Sequence, residues 1–285
     1  MVTTSDSASL RAQEKAIAKK YIGGFPWVMG IRPLVNTTLW LALWPLVLGG
    51  TLPLWAGFLI ATINATAAYL PSHDAQHHII VGEGSRWHWF NEFIGWYSLV
   101  PLATPLSILR VTHFEHHRHT NDPALDPDYP MAAVTIPGAI AKTLVKAMPR
   151  HERYSATLER IGTPAARAAT LHAAALKFVN YAILSALAWS GHVWEAVLLW
   201  WLPVRIAQVY INFYLSWAPH HPMVERGRYR ETRAFRSIWG NIGSSGMQYH
   251  IIHHLYPTIP LNRHPAVYRA LRPILEERGC ELGGL

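Results

Sequence analysis

Most of the seventeen histidines in this 285-residue chain fall into three short groups: His73-Asp-Ala-Gln-His77-His78, His113-Phe-Glu-His116-His117-Arg-His119 and His250-Ile-Ile-His253-His254. On a helix, positions i, i+3 and i+4 share a face, so each group is expected to aim two or three imidazoles at one point. Neutral imidazole is the commonest protein metal ligand near pH 7, and this spacing, met three times, points to metal binding. A lone cysteine, Cys280, builds neither a disulfide framework nor a thiolate cluster, so the metal ligands must be nitrogen or oxygen.

His220-His221, after the last apolar block, supplies a further candidate. The expected ligand set is His73, His77, His113, His116, His117, His220, His250, His253 and His254. A structural zinc takes about four ligands and a catalytic zinc about three, so nine imidazoles exceed the need of one such ion. Two octahedral ions offer about twelve positions, which leaves about three for water, O2 or a bridge. The expectation is therefore a pair of octahedral metal ions, with O2 as co-substrate.

Ligating histidines usually donate their second N–H to a carboxylate or carbonyl. Asp74, Asp122, Asp126 and Asp128 lie beside the first two groups and are candidates for that support, although Asp-Pro pairs also make ordinary turns. His78, His119 and His221 are candidates either as ligands or as supporting groups. Glu115 falls between ligands and is read as structural, as are the solitary His88, His151, His172, His192 and His264. Gly240, Gly243 and Gly246 match no dinucleotide fingerprint and are read as a kink or a close approach. No nicotinamide or flavin site is visible, so reducing electrons are expected from a separate partner such as ferredoxin or a cytochrome, drawn to the basic face.

The elements that must position these groups follow from the apolar pattern. Residues 34–70 and about 171–215 form two apolar blocks, with the basic residues mostly outside them. Each block is too long for a single crossing at about 20 residues and is interrupted near its middle, at Gly49-Gly50 with Pro53 and at Ser190-Gly191. The expectation is an all-α integral membrane protein with four transmembrane helices in two hairpins, near 34–48, 52–71, 171–189 and 193–217. In the second pair, Lys177 and Glu195 are expected to snorkel and Arg205 to face protein.

Neither hairpin turn carries Lys or Arg, whereas the longer segments are rich in both, which places the termini and central loop in the cytoplasm. The histidine groups then share a cytoplasmic cap, residues 72–170 and 218–285, in one domain spanning 34–285 behind a cytosolic arm, 1–33. That arm has no early apolar run and does not read as a cleavable signal. Ile140, Leu144, Val145 and Met148, opposite Lys142 and Lys146, suggest an interfacial helix, and residues 90–108, broken by Pro101 and Pro105, an interfacial or re-entrant piece. The net charge of +8 is read as membrane-surface charge, with no nucleic-acid partner.

The three histidine motifs resemble those of the membrane fatty acid desaturase and hydroxylase superfamily, HxxxH, HxxHH and HxxHH, here His73 to His77, His113 to His117 and His250 to His254. The likeness covers roughly residues 65–275. Within that superfamily the chain is most similar to cyanobacterial-type beta-carotene hydroxylases, through His116-His-Arg-His-Thr-Asn-Asp-Pro, Asp126-Pro-Asp128 and Tyr249-His-Ile-Ile-His-His-Leu-Tyr-Pro-Thr-Ile-Pro260. Ala218-Pro-His220-His-Pro222 resembles the Pro-His-Arg-Pro of carotenoid ketolases, with His221 where they carry Arg. The resemblance identifies the expected metal pair as non-haem iron and implies a di-iron membrane enzyme with four membrane helices and no bound cofactor besides iron.

The leading expectation is hydroxylation of a carotenoid ring, with fatty acyl desaturation as the alternative. From another class, a metal transporter would line its spans with polar ligands, whereas here the first pair is free of ionisable groups and the histidine groups sit at one end. A zinc-dependent membrane hydrolase would need fewer ligands than the motifs offer.

Overall fold

The computed structural model describes residues 4–147, 154–236, 244 and 246–283. Met148, His151, Gly240 and Gly243, singled out above, lie outside the described residues. Helices dominate and no strand occurs among the described residues, in keeping with an all-α chain.

Helix α1 (Thr4–Lys19) packs against the C-terminal part of the chain. Four helices are long and apolar enough to cross a membrane: α2 (Trp27–Leu48), α3 (Leu54–Gln76), α8 (Pro164–Trp189) and α9 (Val193–His220). Between them lie α4 (His88–Ser98), α5 (Leu106–His119), α6 (Ile136–Ala147) and α7 (Ser155–Ile161), and after them α10 (His250–Leu255) and α11 (His264–Glu277).

The spans run further than the apolar pattern suggested. Helix α2 starts at Trp27 rather than near 34, carries Pro33 and Pro45 inside it, and so includes Arg32. Helix α3 continues through Pro71 to Gln76 rather than stopping there, so the first histidine motif rides on the last turns of a span. Proline removes one N–H and kinks a helix, but packing on both sides holds these helices together across it. Helix α8 begins at Pro164, where the Thr163 hydroxyl accepts from the Ala166 N–H, a better start than the apolar onset near 171.

Inside the α2/α3 pair, Asn64 Nδ2 donates to Asn36 Oδ1 at 2.7 Å and Asn36 Nδ2 to the Asn64 carbonyl at 2.9 Å. Buried amides of this kind join helices where lipid offers no hydrogen-bond partner. Trp40 then donates to the Leu199 carbonyl, tying α2 to α9. Helix α9 is wound as π-helix at Val197–Trp201 and Ile211–Trp217, and the second widened stretch immediately precedes the Ala218–His220 turn.

Exposed tryptophans mark both ends of the spans. Trp27, Trp87 and Trp89 stand at the end near the histidine motifs, and Trp55, Trp189 and Trp194 at the other, the arrangement expected of two interfacial belts. Helices α4 and α5 meet at a 102° bend around residues 103–105, as the prolines implied for residues 90–108. On α6, Ala139, Thr143 and Ala147 face the protein while Ile140, Leu144 and Val145 are exposed, so the small face packs inward and the large apolar side chains point out.

Candidate metal centre

The nine candidate ligands come from four stretches of chain. His73 lies on α3 and His77 at its cap; His113, His116 and His117 share a face of α5; His220 ends α9; His250, His253 and His254 lie on α10. Their ring nitrogens meet in two adjoining groups, His73, His77, His113 and His253 in one and His116, His220, His250 and His254 in the other, each with its nitrogens within 4.8 Å of one another. His117 belongs between them: its Nε2 is 2.7 Å from that of His253 and 3.0 Å from that of His113, while its ring lies 4.3 Å from that of His254.

Nitrogens packed this way fit a metal. Two cis ligands at a bond length of about 2.1 Å stand about 3.0 Å apart in octahedral geometry. The Nε2 atoms of His77, His113, His117 and His253 show separations of 2.7, 2.9, 3.0 and 3.3 Å. His73 is fully buried, yet neither ring nitrogen has a hydrogen-bond partner, and His220 Nδ1 has none either. Buried polar nitrogens without partners are costly, and a cation within the cluster would satisfy one nitrogen of the His73 ring. Burial first, then the neighbouring rings, hold His250, His253 and His254 well below the ordinary histidine range, so they present neutral imidazole, the ligating form.

Carboxylates contact both sides of the second group. His116 Nδ1 is 2.8 Å from Asp126 Oδ1, and His254 Nδ1 is 3.2 Å from Glu231 Oε1. Burial opposes the charged form of His116, but Asp126, Asp128 and Glu231 outweigh it and raise its pKa. Glu231 was not singled out in the sequence, where it lies in a basic stretch, eleven residues past His220, with no spacing signal.

The other candidates bond elsewhere. Asp74 accepts from the Leu261 N–H, Asp122 caps the turn at Ala124 and pairs with Arg226, and Asp128 pairs with Lys146 at 3.3 Å. His119 faces Glu115 at 3.5 Å, and His221 stacks on Trp217. His78 lies 3.2 Å from Glu83 and forms a third, half-buried group with His88 and Glu92, so His88 is not solitary. His264 is buried against the Ile259 carbonyl, His172 meets Ser107, and His192 meets Glu195. Glu115 is held by Arg118 and Arg160, both at 2.7 Å. Gly246, at φ +103°, sits where a Cβ would strike the Leu261 carbonyl, a close approach just before the third motif.

The frame around the first group is fixed by Arg110, which lies on α5 one turn before His113. Its Nη2 and Nε donate to the Ala75 and Gln76 carbonyls at 2.9 and 3.3 Å, and its fork grips both oxygens of Glu92 on α4. Helix ends leave carbonyls without intrahelical partners, and a cation there is favourable. One side chain therefore ties the end of α3 to the helix bearing the second motif.

Membrane-length helices that converge on a buried, all-imidazole centre define a class of integral membrane protein, and the chain belongs to the fatty acid desaturase family, whose model matches residues 27–283. It is similar to a zeaxanthin 4-ketolase of Chlamydomonas reinhardtii, 33% identical over 91 residues, which is 30% of this chain and 20% of that protein. It is also similar to an sn-1 oleoyl-lipid 12-desaturase of Picosynechococcus sp., 34% identical over 84 residues, 30% of this chain and 22% of that protein. The matched stretches thus span about a fifth of the length of these curated relatives.

Proposed function

We propose that this chain is a membrane-bound di-iron oxidoreductase that uses O2 to oxidise a C–H bond of a lipid-like hydrocarbon. The observation that carries this reading is the meeting of nine imidazoles from four stretches of chain in two adjoining groups. The residues that would hold the metals are His73, His77, His113, His117 and His253 on one side and His116, His220, His250 and His254 on the other. Bound there, two iron ions supply the redox chemistry that couples O2 reduction to C–H oxidation. The protein's part is to keep His250, His253 and His254 neutral by burial and to orient His116 and His254 through Asp126 and Glu231.

Hydroxylation consumes R–H, O2, two electrons and two protons and yields R–OH and water; desaturation uses the same inputs, removes two hydrogens and yields two waters. The favoured reaction is hydroxylation of a carotenoid ring, supported by the motif resemblance and by similarity to a ketolase named for zeaxanthin. Acyl desaturation is the second reading, favoured by the similarity to a lipid 12-desaturase. The electrons come from a separate carrier such as ferredoxin or a cytochrome.

The topology proposed is two hairpins, α2/α3 and α8/α9, with the metal centre and both termini on the cytoplasmic side and residues 34–285 acting as one domain behind the N-terminal arm. The support is the absence of Lys and Arg from residues 49–53 and 190–192 and their abundance in the longer segments.

Expression in a carotenoid-producing host, followed by mass analysis of pigments and lipids, tests the reaction. Pigments gaining one oxygen support the first reading, and acyl chains losing two hydrogens the second; neither change, with iron present, contradicts both. His116→Ala and His253→Ala should abolish conversion, whereas His192→Ala, far from the cluster, should leave it near normal.

A further inference from the structure

We propose that the hydrocarbon substrate reaches the centre through the pocket between residues 129–134 and residues 216–224. This inference rests on the reading above and specifies where its substrate binds. The pocket has a volume of about 550 Å³ and is lined in part by His116 and His220, two members of the second histidine group. It adjoins a small chamber of about 20 Å³, and His116, Asp128, Ser216 and His220 line both. The chamber also meets His113, a member of the first group, and His250, with Tyr69, Ile211, Leu215 and Met247 as its apolar wall. Outer pocket and inner chamber thus adjoin at the four residues they share, and the chamber ends against imidazoles of both groups. The chamber has room for about one water-sized group, so the body of a hydrocarbon belongs in the outer pocket, whose size is that of ordinary ligand sites.

The chemistry of the walls selects an uncharged, apolar occupant. Pro130, Met131, Ala133, Trp217 and Met223 line the pocket, and its charged groups are already engaged: Asp126 with His116, Asp128 with Lys146, and Lys142 with the Ala132 carbonyl. At the mouth, Val134 and Val224 are 89% and 79% exposed. Val134 leads directly into α6, where Ile136, Ile140 and Leu144 are also exposed. An apolar helix face that continues into a pocket mouth is suited to a molecule leaving the bilayer surface. Two other large pockets lack this connection. The groove of about 650 Å³ beside Phe25, Trp87 and Trp89 and the cleft of about 620 Å³ beside Lys177 and Arg205 are lined by none of the nine imidazoles.

Photolabelling of the metal-loaded protein in lipid nanodiscs, with a diazirine-bearing C18 hydrocarbon and peptide mapping by mass spectrometry, tests the path. Labels should concentrate on residues 129–134 and 216–224. Val134→Glu and Val224→Glu, at exposed positions that folding tolerates, should each lower that labelling at least fivefold while leaving metal content unchanged. Labels concentrated on the Phe25/Trp89 groove or the Lys177/Arg205 cleft, or labelling insensitive to both substitutions, would overturn the inference. Labelling of this pocket in a protein that oxidises no hydrocarbon would keep the binding site and defeat the oxidase reading, so the two fail separately.

Discussion

His116 Nδ1 and Asp126 Oδ1 are 2.8 Å apart, both side chains buried, and Asp126 is itself held by the N–H groups of Asn121 and Asp128. The imidazole donates to the carboxylate, which fixes its tautomer and leaves Nε2 for the cluster. Asp126→Asn preserves the shape but presents an amide in place of the charge. Metal release to a chelator should become about 10- to 100-fold easier, the usual effect of removing such a partner. Unchanged release would show that Asp126 serves only the turn at residues 121–128.

The Arg110 fork predicts a second effect, confined to the first histidine group. Arg110→Gln breaks a charge-assisted tie between α3 and α5, with hydrogen bonds of about 1.5 to 3 kcal/mol each, so His73 and His77 lose their fixed approach to His113. Iron content should fall towards one per chain, and Glu92→Gln should do the same more weakly. Loss of both metals in equal proportion, seen in a stoichiometric titration, would mean that Arg110 supports the fold generally.

Glu14 predicts how the N-terminal helix is held. It is fully buried on α1 and accepts from Arg228 at 3.1 Å, the Tyr229 hydroxyl at 2.8 Å and the Tyr256 hydroxyl at 2.6 Å. Glu14→Ala leaves these donors facing an apolar gap and should cost about 1 to 3 kcal/mol. Limited proteolysis should then cleave near residues 20–24 much faster than in the parent protein. Equal cleavage rates would contradict the docking of α1.

Cys280 carries the pH prediction. Burial pushes its thiol up to about 11, so the fold disfavours the thiolate. At pH 8 the thiolate fraction should be about one thousandth, and labelling by a disulfide reagent should rise about tenfold per pH unit. Stability from this group is complete below the unfolded value of about 8.5 and is lost as pH rises from there towards the folded one. Rapid labelling at pH 7 would refute the burial of the thiol.

The parts of the site legible in the sequence were those where ligand and periodicity coincide. The i, i+3, i+4 spacing marked the three histidine motifs, and the end of an apolar helix marked His220. Asp126 was readable only as one of three acids that follow the second motif. Glu231 was not, because its contact with His254 depends on tertiary packing across 23 residues. The spans were visible as apolar blocks, but their ends were misplaced where proline or arginine interrupted the pattern. Pro71 lies inside α3 and Arg32 inside α2, since packing holds the helix where local propensity would end it. The π-wound turns of α9 left no compositional trace at all.

The most direct test of the central claim is the metal stoichiometry of the 285-residue chain, purified in detergent from iron-supplemented cells and measured by mass spectrometry alongside its Mössbauer spectrum. The prediction is two irons per chain with nitrogen-rich, non-haem parameters, falling to about one with His253→Ala. One metal per chain, or zinc in place of iron under these conditions, would contradict it.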